Sequence, residues 1–229
     1  TLPASKTILL NDSGTVDIDG NLDVDGGTIK LDGNYPTGTN NVALGNTALD
    51  DGSLSGGYNT AIGSQSLTSN TSGVNNVGLG FNSLASNTTG DRNVSVGTSS
   101  LDANTSGCYN VSIGDNSLGT NTTGTQNVAI GKDALLSNTT ADDNTAVGYA
   151  SLYANTTGQF NAAIGKFSLC SNTTADNNTA LGNASLKSNT TGTANTGLGR
   201  SALSANTTAD NNTAVGAYAM QTNSTGTNN

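Results

Sequence analysis

A 17-residue unit recurs through most of the chain and restricts its fold more than any other feature. From Asn59 onward, each copy opens with Asn, three uncharged residues and Gly, continues to a Leu (Met220 in the last), and then reaches an Asn followed by Thr or Ser. A short period of fixed length means one structural unit stacked on its own neighbours. The sequence therefore predicts a solenoid over residues 40–229. The copies begin at Asn41, Asn59, Asn76, Asn93, Asn110, Asn127, Asn144, Asn161, Asn178, Asn195 and Asn212.

Composition favours strands over helices in each turn. The chain has no glutamate and no histidine, and only seven of its residues are Lys or Arg. Short runs of Thr, Val and Ile between Gly and Asn are typical of strands joined by tight turns. The predicted fold is all-β, a parallel β-solenoid or β-roll of eleven turns, each of 17 residues.

The segment between the opening Asn and the Gly has a bulky and a small side. Its third residue is always Val, Ile or Leu, and its second is always Ala, Gly or Ser. We expect the bulky residues to fill the coil together with a later column of Leu, from Leu67 to Leu203, that ends at Met220. We expect the small residues to contact another copy of the chain. The small residues are Ala61, Gly78, Ser95, Ser112, Ala129, Ala146, Ala163, Ala180, Gly197 and Ala214.

A second Asn column precedes the Thr or Ser pair. These side chains are predicted to stack as an inward or turn-edge ladder, with amides bonded from turn to turn. Each is formally also an N-glycosylation sequon, but sequons about 5 Å apart leave no room for a glycan on every turn. The column is Asn70, Asn87, Asn104, Asn121, Asn138, Asn155, Asn172, Asn189, Asn206 and Asn223.

A 34-residue period is superimposed on the shorter one in the later repeats. Its charged residues are either a solvated face or members of cross-turn or cross-chain Lys–Asp pairs, and the sequence leaves both open. The two cysteines, Cys108 and Cys170, lie four turns apart, or roughly 19 Å, which excludes a disulfide between them. The charged set is Lys132, Lys166, Arg200, Asp142, Asp176 and Asp210.

Residues 1–39 lie outside the repeat. Apolar residues alternate there with Asp or Lys, and D-G pairs interrupt them, which predicts a separate segment of short strands. The aspartates do not match an EF-hand loop, which needs a glutamate at its end.

The residue inventory argues against several functions. Without histidine or glutamate, most catalytic triads and zinc sites are impossible, so we expect neither enzymatic activity nor a metal or other cofactor. A net charge of −9 disfavours nucleic acid and anionic membranes as partners. No apolar stretch reaches the length of a membrane span, so membrane insertion is not expected.

Aromatic and charged residues concentrate at a few variable positions of the repeat, which we expect to face outward. Exposed aromatics beside polar groups suit contacts with carbohydrate or protein, but scattered surface aromatics are also common. Among them are Tyr153, Lys187, Tyr109, Phe160 and Arg92. The candidate surface contacts are Phe81, Tyr149, Phe167 and Tyr218, together with Lys132, Lys166 and Arg200.

The motif N-[TSV]-A-[IV]-G-x-x-[SA]-L resembles the head repeats of trimeric autotransporter adhesins. That resemblance implies a left-handed roll with two strands per turn, assembled as a homotrimer. The segment from Gly20 to Ile29 resembles repeats of bacteriophage tail fibres, and its combination with the array is most similar to fibre proteins of marine tailed phages.

These resemblances imply a structural fibre protein of a tailed phage virion, an extracellular shaft that supports or mediates host attachment. Its implied partners are two further copies of itself, other virion proteins and a host surface glycan or protein. A bacterial trimeric surface adhesin head is one alternative. An ice-binding solenoid is another, since stacked threonines template water when they point outward. Those threonines are Thr88, Thr122, Thr139, Thr156, Thr173, Thr190 and Thr207.

Overall fold

The computed structural model describes residues 39–229, which form a single stacked array. Its one sheet contains eleven strands in chain order, and every neighbouring pair is parallel. The described residues contain no helix. The strands are β1 Val42–Leu44, β2 Thr60–Ile62, β3 Val77–Leu79, β4 Val94–Val96, β5 Val111–Ile113, β6 Val128–Ile130, β7 Thr145–Val147, β8 Ala162–Ile164, β9 Thr179–Leu181, β10 Thr196–Leu198 and β11 Thr213–Val215.

Strand register confirms the predicted β-solenoid. Val111 pairs with Val128, and Thr196 pairs with Thr213, so equivalent positions of successive repeats lie side by side. Each repeat is therefore one turn of the coil. The predicted segment over residues 1–39 lies outside the described residues, apart from its last residue.

Only one strand forms in each turn, whereas the adhesin resemblance implied two. The rest of the turn consists of tight turns and bends, yet its backbone still bonds to the next turn. For example, the amide of Leu101 donates to the carbonyl of Ser117 at 2.9 Å, and that of Thr105 donates to Thr122 at 2.8 Å. Left-handedness and trimeric assembly stay predictions.

The interior is filled by the Leu column and by the small strand residues, not by the bulky ones. Every Leu from Leu67 to Leu203 in this column is fully buried, and Met220 is partly buried at its end. The small second residue of each strand faces this column: a Cβ built on Gly78 would lie 3.5 Å from Cδ1 of Leu67. Our expectation that the bulky strand residues fill the coil is wrong. A narrow coil already occupied by one Leu per turn has room for only a methyl or hydroxymethyl group opposite it.

Two backbone features bend the chain into a closed turn. The Leu residues of the column have φ near +50°, for instance 53° at Leu135, in the left-handed region that bulky residues rarely adopt. The Gly that ends each strand has φ between 123° and 138°. At Gly131 a Cβ would lie 2.8 Å from the carbonyl of Gly148 in the next turn, so close stacking also requires glycine there.

Two buried Asn ladders bind successive turns together. In the opening column, Oδ1 of Asn76 accepts the backbone amide of Asn93 at 2.9 Å, while Nδ2 of Asn93 donates to the carbonyl of Gly107 at 2.8 Å. In the second column, Nδ2 of Asn121 donates to Oδ1 of Asn104 at 2.9 Å and to the carbonyl of Gly124 at 3.0 Å. The predicted ladder is confirmed from Asn70 to Asn206, where it lies inward, and these amides are too buried to carry glycans.

Candidate functional site

The first candidate interaction surface is the outer face of the sheet. Strand side chains alternate between the two faces, so the first and third residues of each strand point outward while the second points inward. The first position holds Val, Thr or Ala, and the third holds Val, Ile or Leu. No charged residue occurs at either position in any of the eleven strands. We call this surface the aliphatic face.

Exposure of large aliphatic side chains in the described residues is confined to the third position of the strands. All other exposed large hydrophobic residues described are aromatic. A continuous, uncharged aliphatic column along a whole molecule is typical of an interaction surface. The exposed members are Leu44, Leu79, Ile113, Ile130, Ile164, Leu181, Leu198 and Val215.

The residues that we expected at the trimer contact lie inside the coil. Ala129 and Ala146 are fully buried within one chain, as are Ser95 and Ser112. Ser112 is also engaged in the interior, where its Oγ donates to the carbonyl of Ser117 at 2.8 Å. Side chains buried in this way cannot contact a second chain, so the small-residue column is a core element and the sheet offers its aliphatic face instead.

A cluster of rings and ammonium groups forms the second surface. Tyr149 and Phe167 meet edge to face, with ring centroids 5.3 Å apart and planes inclined by 74°. Nζ of Lys166 lies 5.6 Å from the centroid of Tyr149 and 5.0 Å from that of Phe167, and Nζ of Lys187 lies 5.5 Å from the centroid of Phe167. Three of the predicted contacts are therefore adjacent, and Lys187 joins them.

The other predicted contacts are dispersed. Arg200 lies over the ring of Tyr218, 5.3 Å from its centroid, in a separate pair. Lys132 forms an ion pair with Asp115 at 2.6 Å, and this hydrogen bond raises the pKa of the exposed lysine. Phe81 is exposed and, within residues 39–229, makes no contact with another ring or with a cation.

The aspartates of the 34-residue period accept hydrogen bonds from backbone amides. Oδ1 of Asp142 accepts the amide of Thr125 at 2.6 Å, and Oδ1 of Asp176 accepts that of Gln159 at 2.7 Å, each one turn earlier. Asp210 does the same. Among residues 39–229, a cross-turn ion pair forms only at Lys132, and its partner is Asp115.

Sequence reasoning missed two residues that lie beside the ring cluster, Asp133 and Cys170. Both line a shallow cleft with Tyr149, Tyr153 and Phe167. The signal was present in the repeat: Asp133 and Phe167 share one repeat position, and Tyr153 and Cys170 share another. Burial raises the pKa of the Cys170 thiol, which favours its protonated form.

The described residues contain neither a cluster of metal ligands nor a disulfide. Residues 39–229 contain no group of three or more metal-binding side chains. Both cysteines are free thiols, as their spacing predicted. Within the same residues there is no helix with the length and apolar character needed to cross a membrane.

Comparison of the chain with protein families, with curated proteins and with solved structures found no match. The resemblance to adhesin heads and phage fibres therefore stays a prediction from the repeat motif. The features that bear on function are the aliphatic face and the cluster of rings and ammonium groups.

Proposed function

We propose that the chain is a structural shaft of a homotrimeric fibre from a tailed phage virion, with the aliphatic faces of the three copies turned toward their common axis. The observation that carries this proposal is the confinement of exposed large aliphatic side chains to one column of the sheet. The repeat motif supplies the expectation of three copies, and the column supplies the contact surface.

The extent of the aliphatic face suits association along its whole length. Eleven strands at the usual spacing of ~4.8 Å give a stripe of roughly 48 Å. Members such as Ile130 and Ile164 are about two-fifths exposed. Burying that remainder contributes roughly 0.6–1.2 kcal/mol per side chain. The eight exposed members together contribute on the order of 5–10 kcal/mol per copy. The entropy lost on association opposes this contribution.

The interior explains why such a shaft is rigid. Each turn is joined to the next by the parallel strand, by backbone bonds in the turn-rich segment and by two Asn ladders. The amides of both ladders are buried, so water does not compete for their hydrogen bonds. A rod built in this way keeps its shape without a large globular core, which suits a spacer.

Two charge insertions at equivalent turns test the contact. Ile130→Lys combined with Ile164→Lys places two ammonium groups in the aliphatic face, whereas Thr140→Lys with Thr174→Lys places the same charges on exposed corners of the same turns. Sedimentation is expected to show a single chain for the first variant and the wild-type assembly for the control, with the same circular dichroism for both. Dissociation of both variants, or of neither, would contradict the proposed contact.

The phage assignment requires a test of its own. Antibodies raised against the array are expected to label tail or capsid fibres in electron micrographs of a culture that produces the virus. Gold label on the surface of uninfected cells would instead support the bacterial adhesin alternative, which has the same coil.

The hydroxyl geometry favours the fibre over the ice-binding alternative. Oγ1 of Thr173 donates to the carbonyl of Thr190 at 3.1 Å, and Oγ1 of Thr190 donates to that of Thr207 at 3.0 Å. Hydroxyl donors committed to the next turn are not free to order water. The outward strand positions, which would form the flat face, are dominated by aliphatic residues.

A further inference from the structure

The cleft beside the ring cluster crosses three successive turns and encloses about 260 Å³. Tyr149, Tyr153 and Phe167 form its aromatic lining. The edge-to-face contact fixes the ring of Tyr149 against Phe167, while Tyr149 and Tyr153 remain exposed to solvent. An exposed tyrosine offers an apolar ring face and a polar tip, a combination that suits a ligand with C–H groups on one side and hydroxyls at its edge.

Polar groups of the cleft are free to bind a ligand. The hydroxyls of Tyr149 and Tyr153 make no hydrogen bond within residues 39–229. Within the described residues, the carboxylate of Asp133 has a single polar contact, a long one of 4.0 Å with Nζ of Lys132. A few polar groups converging on an apolar lining are what fixes the orientation of a small ligand.

The charge around the cleft selects the kind of ligand. Asp133 is the one charged residue of the lining. Beside the cleft, Lys166 and Lys187 lie over the rings, and neither is within ion-pair distance of a carboxylate in the described part of the chain. They give a positive spot to a chain whose net charge is −9. Because protein ammonium groups already occupy faces of Tyr149 and Phe167, a cationic ligand would be repelled. An anionic one would be attracted.

We infer that this cleft binds an acidic saccharide, with the sugar ring against Tyr149 and Tyr153, its carboxylate toward Lys166 and Lys187, and its hydroxyls toward Asp133. Such a site goes beyond the proposed shaft, because it gives the side of the coil a receptor contact of its own. It uses residues of one chain only, so it stands whether or not the chain forms a trimer.

Titration calorimetry with matched sugars tests the inference. The acidic probes are tetragalacturonate and sialyllactose, and their neutral counterparts are galactotetraose and lactose. We expect each acidic probe to bind at least about tenfold more tightly than its counterpart, a difference of about 1.4 kcal/mol. Tyr153→Ala is expected to weaken acidic binding by about tenfold or more, in line with the value of one stacked ring. Tyr109→Ala, which removes an exposed ring elsewhere on the coil, is the control and leaves affinity unchanged.

Variants of the lysines test the role of charge. Lys166→Gln combined with Lys187→Gln is expected to remove the preference for acidic probes while neutral binding and the midpoint of thermal unfolding stay the same. Cys170 provides an independent readout at the cleft. Saturating tetragalacturonate is expected to slow its alkylation by iodoacetamide and to leave that of Cys108 unaffected.

Three results would overturn the inference. They are the absence of binding by both acidic probes up to about 10 mM, equal affinity for neutral counterparts, and an affinity that Tyr153→Ala does not change.

Discussion

Replacing the glycine that ends a strand tests the stacking geometry directly. At Gly148, φ is 127°, and a Cβ would lie 2.7 Å from the backbone carbon and 2.9 Å from the carbonyl oxygen of Gly165 in the next turn. Gly148→Ala therefore forces an L residue into a rarely adopted conformation, at about 1–3 kcal/mol. It also forces backbone overlap, at another 1–3 kcal/mol or so. We expect a total loss of roughly 2–6 kcal/mol in the free energy of unfolding.

Two other glycines separate these contributions. Gly216 has φ of 123° but its nearest neighbour, Cβ of Ala219, would be 3.9 Å away, so Gly216→Ala keeps only the conformational cost. Gly52 has neither a positive φ nor any atom within 4 Å of the added carbon. Gly52→Ala is expected to be neutral or to stabilise by up to about 1 kcal/mol through the unfolded chain.

Urea unfolding followed by circular dichroism, at one protein concentration, gives the three free energies. The expected order of destabilisation is Gly148→Ala, then Gly216→Ala, then Gly52→Ala. Equal stability of the Gly148 and Gly52 variants would refute the account of why glycine ends each strand. A Gly216 variant as unstable as the Gly148 variant would refute the part assigned to overlap between turns.

Two further predictions concern pH and length. Burial raises the pKa of Asp102, so the folded state favours its protonated form and this stability is lost as pH rises through the folded pKa. Asp102→Asn keeps an acceptor for Nδ2 of Asn82. We expect this variant to raise the melting temperature at pH 7, and to leave it unchanged at a pH well below the ordinary pKa of a carboxyl group. An equal rise of the melting temperature at both pH values would contradict this. Deleting Asn161 to Ala194 removes two turns and leaves the remaining turns in register. Small-angle scattering should show a rod about 10 Å shorter, with an unchanged circular dichroism spectrum. Aggregation of the deletion variant would contradict the claim that each turn needs only its two neighbours.

The period alone was sufficient to predict the array, because a residue that recurs every 17 positions can be satisfied only by its own equivalent in the next turn. The ladder from Asn70 to Asn206 followed from the same reasoning, since an amide both donates and accepts along a column. Local chemistry and long-range structure coincide in the ladder because its side-chain partners in successive turns are the same residue type.

The orientation of the strands was not predictable from alternation. A period of two separates Ala129 from its neighbours Val128 and Ile130 but does not say which side is inside. The usual rule buries the bulkier side. Here Leu135 and its equivalents already fill the cross-section, so the volume left inside decided in favour of alanine. That volume depends on the path of the backbone through the turn. The path depends in turn on the left-handed conformation at each Leu, which the residue type does not predict.

The surface cluster was predictable in part. Tyr149, Lys166 and Phe167 were expected to face outward; Tyr149 and Lys166 are exposed and Phe167 is half-buried. Their union with Asp133 and Cys170 depends on two neighbouring columns of the repeat meeting at one cleft. Aligning repeats places residues within a column, but only the fold shows which columns are adjacent.

The mass of the wild-type chain in solution tests the central proposal most directly. Native mass spectrometry or sedimentation at micromolar concentration is expected to give three times the chain mass of 22.6 kDa. A single-chain mass under the same conditions would mean that the aliphatic face has no partner in another copy, and it would contradict the homotrimeric shaft.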